Sequence, residues 1–168
     1  SSTGDLAGWT IGNVGNNELG DGSSEWNDYM PDQSTITGGG KDTLIGGAGD
    51  DLLHGGNSIL GDEISGGAGN DIIFGDEGDD ALIGNEGDDW ISGGAGGDGI
   101  VGDVGAPTGQ VPLYGGNDVL DGGGEGDKMT GFSGDDIMLG LGGFDKFYGK
   151  LGFDWASFEQ ETHGVSVD

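Results

Sequence analysis

Gly66 to Val101 reads Gly-Gly-Ala-Gly-Asn-Asp-Ile-Ile-Phe, Gly-Asp-Glu-Gly-Asp-Asp-Ala-Leu-Ile, Gly-Asn-Glu-Gly-Asp-Asp-Trp-Ile-Ser, Gly-Gly-Ala-Gly-Gly-Asp-Gly-Ile-Val, one nine-residue unit written four times. Every copy has Gly at position 1, Gly at position 4, Asp at position 6 and Ile or Leu at position 8. Gly clusters punctuate the chain and branched apolar residues favour extended backbone, so the unit predicts a turn followed by a three-residue strand. A motif that recurs at a fixed period signals a repeat architecture in which stacked neighbours share one core.

Outward from this run the same frame holds from Thr37 to Ser157. It places Asp42, Asp51, Asp62, Asp71, Asp80, Asp89, Asp98, Asp118, Asp127, Asp136, Asp145 and Asp154 at position 6 of twelve copies. Gly55 to Ser65 is two residues too long around Ser58 to Leu60, and Gly102 to Asp121 is eleven too long around Ala106 to Gly116. The second insertion carries Pro107 and Pro112 and predicts an excursion over residues 106–116. Residues 1–36 lie outside the frame but contain Trp9, Trp26, Tyr29 and Met30, too aromatic for a linker. They predict an N-terminal cap or a degenerate coil, with Trp9-Thr10-Ile11 as a short strand and Asp28 to Gln33 as loop. Residues 158–168 end in Gly164-Val165-Ser166-Val167, which alternates like one more strand. The chain opens at Ser1-Ser2 without Met and stops inside that segment, so a longer parent chain is expected.

Composition then asks what could hold such a chain together. It has 168 residues, 44 of them Gly, and 32 Asp plus Glu against 4 Lys, for a formal net charge of -28. Gly loses much backbone entropy on folding and like charges repel, so 32% apolar residues are too few to stabilise a fold alone. A hard divalent cation with oxygen ligands neutralises carboxylates and tolerates Gly-rich turns, which makes metal-coupled folding the first inference. There is no Cys, so neither a disulfide framework nor a thiolate site is available, in keeping with a secreted, ion-stabilised chain. The charge opposes nucleic acid and anionic lipid, and no apolar run approaches the roughly 18 residues of a span; neither nucleic-acid binding nor membrane insertion is expected.

In tandem, the G-G-x-G-x-D-x-U-x pattern over residues 37–157 resembles the repeats-in-toxin (RTX) family of secreted bacterial proteins. Gly152-Phe153-Asp154-Trp155 and Gly164 to Asp168 also resemble repeat tracts of large secreted haem-peroxidase-like bacterial proteins. The family implies an all-β fold: a right-handed parallel β-roll with two nonapeptides per coil, calcium between stacked turns and, here, an irregular N-terminal cap. It also implies a calcium-responsive module that assists type I secretion and folding of a larger extracellular protein.

With two repeats per coil, the turn that stacks on a given one lies eighteen residues away. The position-6 aspartates then form two columns, Asp42, Asp62, Asp80, Asp98, Asp127, Asp145 and Asp51, Asp71, Asp89, Asp118, Asp136, Asp154. Gly at positions 1, 2 and 4 is expected to adopt positive φ and turn carbonyls inward as ligands. The carbonyls so assigned belong to Gly47, Gly49, Gly67, Gly69, Asp76, Gly78, Asn85, Gly87, Gly94 and Gly96. Each column has five gaps, and allowing for the insertions, roughly six to nine calcium ions are expected. The turns of Asp62 and Asp118 are the least secure. Asp50, Asp79, Asp88 and Asp135 at position 5 are expected to face solvent.

Position 8 should form the core, from Leu44 through Ile73 and Ile100 to Phe147 and Ala156. Positions 7 and 9 should point outward, apolar on one sheet (Leu52, Ile72, Phe74, Trp90, Val119, Ile137, Leu139, Trp155) and polar on the other. Such a face needs a cover: the N-terminal aromatics, the 106–116 excursion, another domain of the parent chain, or a second copy. A calcium-dependent adhesion or ligand-binding module using that loop or face is the second functional expectation. His54 and His163 have no zinc-like spacing, and the Gly-rich runs lack the Lys-Ser/Thr of a phosphate loop; no catalytic role is expected of this segment.

Overall fold

The computed structural model describes residues 9–11, 18–19, 41–56, 59–103, 115–158 and 166–167. They form a parallel β-solenoid without a helix among them. Strands β1 (Trp9–Ile11), β3 (Thr43–Ala48), β5 (Glu63–Ala68), β7 (Ala81–Glu86), β9 (Gly99–Val101), β11 (Lys128–Ser133), β13 (Lys146–Leu151) and β15 (Ser166–Val167) make an eight-stranded sheet in that order. Strands β2 (Glu18–Leu19), β4 (Leu52–His54), β6 (Ile72–Glu77), β8 (Trp90–Ala95), β10 (Val119–Gly124), β12 (Ile137–Leu139) and β14 (Trp155–Ser157) make a seven-stranded one. Consecutive strands therefore alternate between sheets, and each pairs in parallel with the strand two further along.

The register carries the nine-residue frame. Ile64 pairs with Leu82 and Ile73 with Ile91, eighteen residues apart. Leu44 pairs with Ile64 across the two-residue insertion and Ile100 with Met129 across the eleven-residue one, so both insertions are absorbed without a slip. A one-residue slip would send every core side chain to the wrong face. Leu44, Leu53, Ile64, Ile73, Leu82, Ile91, Ile100, Leu120, Met129, Met138 and Phe147 form the core, all at most 2% exposed, with Ala156 packed against it. One apolar residue per repeat is a thin core, which leaves the turns to supply the remaining stability.

Most strands are longer than the three residues expected. Pairing continues from position 7 to position 3 of the following repeat, as in Gly47 with Gly67 and Asp76 with Gly94, giving strands of six residues. The cause is that each Gly-rich turn stacks on its counterpart, so the ladder need not end where the apolar residues do. β4 and β9 stop at three residues just before the two insertions, and β12 and β14 are as short without one.

At the N-terminal end, Trp9–Ile11 forms the expected short strand, pairing with Thr43–Ile45, while Glu18–Leu19 pairs with Leu52–Leu53. The Asp28–Gln33 loop and nearly all of the 106–116 excursion lie outside the described residues. The two outer faces differ as expected. Leu52, Ile72, Trp90, Val119, Ile137 and Trp155 stand in register on the seven-stranded sheet, with Phe74 edge-on to Trp90 at 5.1 Å. The corresponding row on the other sheet reads Thr43, Glu63, Ala81, Gly99, Lys128 and Lys146.

Candidate metal centre

The turns place the position-6 aspartates in the two columns anticipated from the frame. In one, the backbone N–H of Asp42 donates to Asp62 Oδ1 at 2.7 Å, Asp62 to Asp80 at 2.6 Å, and Asp80, Asp98 and Asp127 to Asp98, Asp127 and Asp145 at 2.8 Å each. In the other, Asp51 donates to Asp71 and Asp71 to Asp89 at 2.8 Å, Asp89 to Asp118 at 2.9 Å, Asp118 to Asp136 at 3.0 Å and Asp136 to Asp154 at 3.2 Å. The column is continuous through the turns of Asp62 and Asp118, where the insertions lie.

Those bonds use one carboxylate oxygen. The other, Oδ2, has no hydrogen-bond partner on Asp62, Asp71, Asp80, Asp89, Asp98, Asp118, Asp127, Asp136 or Asp145, all at most 3% exposed. A buried carboxylate oxygen left without a partner is costly, and a row of them asks for a cation. The protonation equilibria register the same cost. Burial, only partly offset by the backbone N–H of the preceding coil, pushes Asp62, Asp71, Asp98 and Asp136 up to about 6 and Asp89 and Asp127 to about 7. Asp118 reaches about 8 for the same reason.

Glycine serves two distinct purposes in these turns, which corrects the expectation of positive φ at positions 1, 2 and 4. Among the described residues left-handed backbone occurs at positions 2 and 4 only, and all ten residues assigned as carbonyl donors have it, including Asp76 (φ 74°) and Asn85 (φ 90°). Position 1 is Gly for room. A Cβ on Gly66 or Gly84 would collide with Oδ2 of Asp71 or Asp89, the aspartate of its own repeat. The position-1 Cα thus forms one wall of the space around the orphaned oxygen.

Among the described residues no three His, Cys, Asp or Glu side chains converge on one point. Carboxylates alone therefore do not build a site, and one built here would need backbone oxygens as well. An oxygen-only set of this kind fits a hard divalent cation such as calcium and is a poor match for zinc. The model of the RTX calcium-binding nonapeptide repeat matches the chain in four copies, at residues 36–58, 61–89, 74–108 and 114–147, more than half of its length. The chain belongs to that family. A search of curated proteins and one of solved structures return no match.

The RTX repeat domain is a structural calcium-binding module rather than a catalytic one, and proteins built from such repeats are generally secreted. The family match is to the repeat itself and does not bear on a haem-peroxidase-like parent. No helix among the described residues is long and apolar enough to cross a membrane.

Two features of the RTX turns escaped the sequence reading. Asp103, at position 2 of the interrupted repeat, is 1% exposed and accepts bonds from the Gly116 N–H at 3.3 Å, the Ser133 N–H at 3.4 Å and the Ser133 hydroxyl at 3.3 Å. Its signal was an acidic residue at a position that is Gly in half of the repeats, at the root of the excursion. His54 is partly buried and stacks on Phe74 at 4.5 Å with Nδ1 3.7 Å from Asp76 Oδ2. The neighbouring imidazole holds the Asp76 carboxyl below its usual value. His163 lies outside the described residues.

Proposed function

We propose that calcium occupies the gaps between stacked turns, held by the position-6 aspartates from Asp42 to Asp154 and by carbonyls of positions 2 and 4. Six to nine of the ten gaps would be filled. The chain is then a module that stays unfolded where calcium is scarce and folds outside the cell, supporting secretion, folding and stability of a larger secreted bacterial protein. The row of partnerless Oδ2 atoms carries this reading, because a chain of net charge -28 cannot keep buried carboxylates ionised without counter-charge.

The magnitudes agree. Extracellular calcium sites bind at about 10⁻⁴ to 10⁻³ M, so millimolar calcium contributes about 0.5 to 1.5 kcal/mol per site. Eight independent sites sum to roughly 4 to 12 kcal/mol, about the net stability of a whole domain. Far-ultraviolet circular dichroism of the metal-stripped and calcium-loaded chain tests the proposal. Strand content should rise with millimolar calcium and disappear on chelation; the same spectrum in both conditions would defeat it. Adhesion through residues 106–116 draws no support from the geometry, since only Gly115 and Gly116 of that loop are described.

A further inference from the structure

The two calcium columns proposed above are flanked by unlike edges. Position 5 immediately precedes each column aspartate. Along the Asp51 to Asp154 edge it reads Asp50, Asn70, Asp88, Asn117, Asp135 and Phe153. Each acidic or amide side chain in that series accepts, through Oδ1, the backbone N–H of the position-5 residue one coil on. Asn70 donates to Asp50 at 2.9 Å, Asp88 to Asn70 at 3.1 Å, Asn117 to Asp88 at 2.7 Å, Asp135 to Asn117 at 2.7 Å and Phe153 to Asp135 at 2.8 Å. Every gap of that column therefore has a rung, including the one that spans the excursion. Two successive backbone N–H groups per turn, at positions 5 and 6, are tied to the neighbouring coil without any metal.

The opposite edge reads Lys41, Gly61, Asp79, Gly97, Gly126 and Phe144. Four of the first five lack a side-chain acceptor, and the position-5 rung found there runs from the Gly97 N–H to Asp79 Oδ1 at 2.9 Å. The alternation on the laddered edge has its own logic. An unbroken Asp ladder would set carboxylates about 4.8 Å apart, the spacing of neighbouring strands. Asn at every second rung keeps the acceptor and roughly doubles the distance between charges, to about the Debye length at physiological salt.

We infer that Asp50, Asn70, Asp88, Asn117 and Asp135 are positioning residues for calcium, and that the roll has two unequal classes of site. This rests on the calcium reading above. The laddered column has its turns stacked with less help from the ion, so less ordering is charged against binding there. One side-chain to backbone bond is equivalent to about a two- to tenfold factor in an equilibrium constant. The Asp51 to Asp154 column should accordingly bind about tenfold more tightly than the Asp42 to Asp145 column.

Calcium titration of the full chain by calorimetry, with site-resolved amide hydrogen exchange, tests this. The unaltered chain should show two classes of site. At sub-saturating calcium, the amides of Asp71, Asp89 and Asp118 should gain protection before those of Asp62, Asp80 and Asp127. The double variant N70A/N117A, which removes two acceptors, should weaken the tighter class about fivefold or more and leave the weaker class in place. N70D/N117D, which restores both acceptors but adds two charges to the ladder, should recover the tighter class in part, and more fully as salt screens those charges. A single class in the unaltered chain, simultaneous protection of both edges, equal weakening of both classes by N70A/N117A, or no recovery in N70D/N117D each overturns the inference. Should N70A/N117A fail to fold, the exchange order in the unaltered chain decides. A chain that takes up no calcium fails at the first titration and overturns the underlying reading as well.

Discussion

Gly84→Ala should cost the calcium-loaded roll roughly 1 to 6 kcal/mol, at the upper end enough to unfold a domain of ordinary stability. The added methyl would collide with Asp89 Oδ2 and stand 2.8 Å from the carbonyl oxygen of Gly102 in the next coil. Asp89 cannot swing away freely, because its Oδ1 already accepts the Asp71 N–H at 2.8 Å. The variant must overpack the turn, at about 1 to 3 kcal/mol, or release a buried bond to a charged acceptor, at about 1.5 to 3 kcal/mol, and plausible relaxations do some of each. Gly124 is the internal control. It occupies position 3, its φ is not left-handed, and a Cβ there would meet nothing within 4 Å. Gly124→Ala should stay within about 0.5 kcal/mol of the unaltered chain. Denaturant melts of both variants in millimolar calcium measure the contrast, and equal stabilities would show that position 1 is not the confined place described.

The second large effect is that acid should substitute in part for the metal. In the ion-free roll, burial raises Asp89 and Asp127 to about 7 and Asp118 to about 8, against an ordinary value of 3.8. A group whose folded pKa exceeds its unfolded one favours the fold while protonated. Its contribution is complete below the unfolded value and is lost as pH rises through the folded one. For these aspartates the window runs from about pH 4 to about pH 8. Metal-stripped chain should therefore gain strand signal on going from about pH 8 to about pH 5, where protonation also relieves part of the self-repulsion. With calcium the trend reverses over the same range, because the ion binds the ionised carboxylate and must displace protons. Circular dichroism at the two pH values, with and without calcium, tests both signs. A metal-free chain equally disordered at both would show that protonation does not stand in for the metal.

Much of this was legible in the sequence because the nine-residue frame fixes so much at once. Leu44 through Phe147 at position 8 had to face inward, and Asp71 had to stack on Asp89, once two repeats make one coil. The insertions at 58–60 and 106–116 could be placed by counting. What the frame leaves open is anything decided between coils. That Gly84 is small to make room for Asp89, rather than to adopt positive φ, depends on where the Asp89 carboxylate points. Asn70 and Asn117 look like scattered polar substitutions until Asp50, Asp88 and Asp135 are stacked beside them at offsets of 18, 20 and 29 residues. The extension of β3 from three residues to six likewise needs the neighbouring turn of β5 as a template. Asp103 shares position 2 with Asp76, but its partners Gly116 and Ser133 become neighbours only once the excursion closes and the coils stack.

Calcium between stacked turns would answer the orphaned aspartate oxygens. Crystals of the calcium-loaded chain, with the anomalous scattering of calcium mapped, test it most directly. Anomalous peaks are expected in the gap between the turns of Asp71 and Asp89 and in that between Asp80 and Asp98, with Asp Oδ2 and position-2 or position-4 carbonyls within about 2.3 to 2.6 Å of each ion. Peaks confined to the outer surface, with Oδ2 of these aspartates still without a ligand, would contradict it.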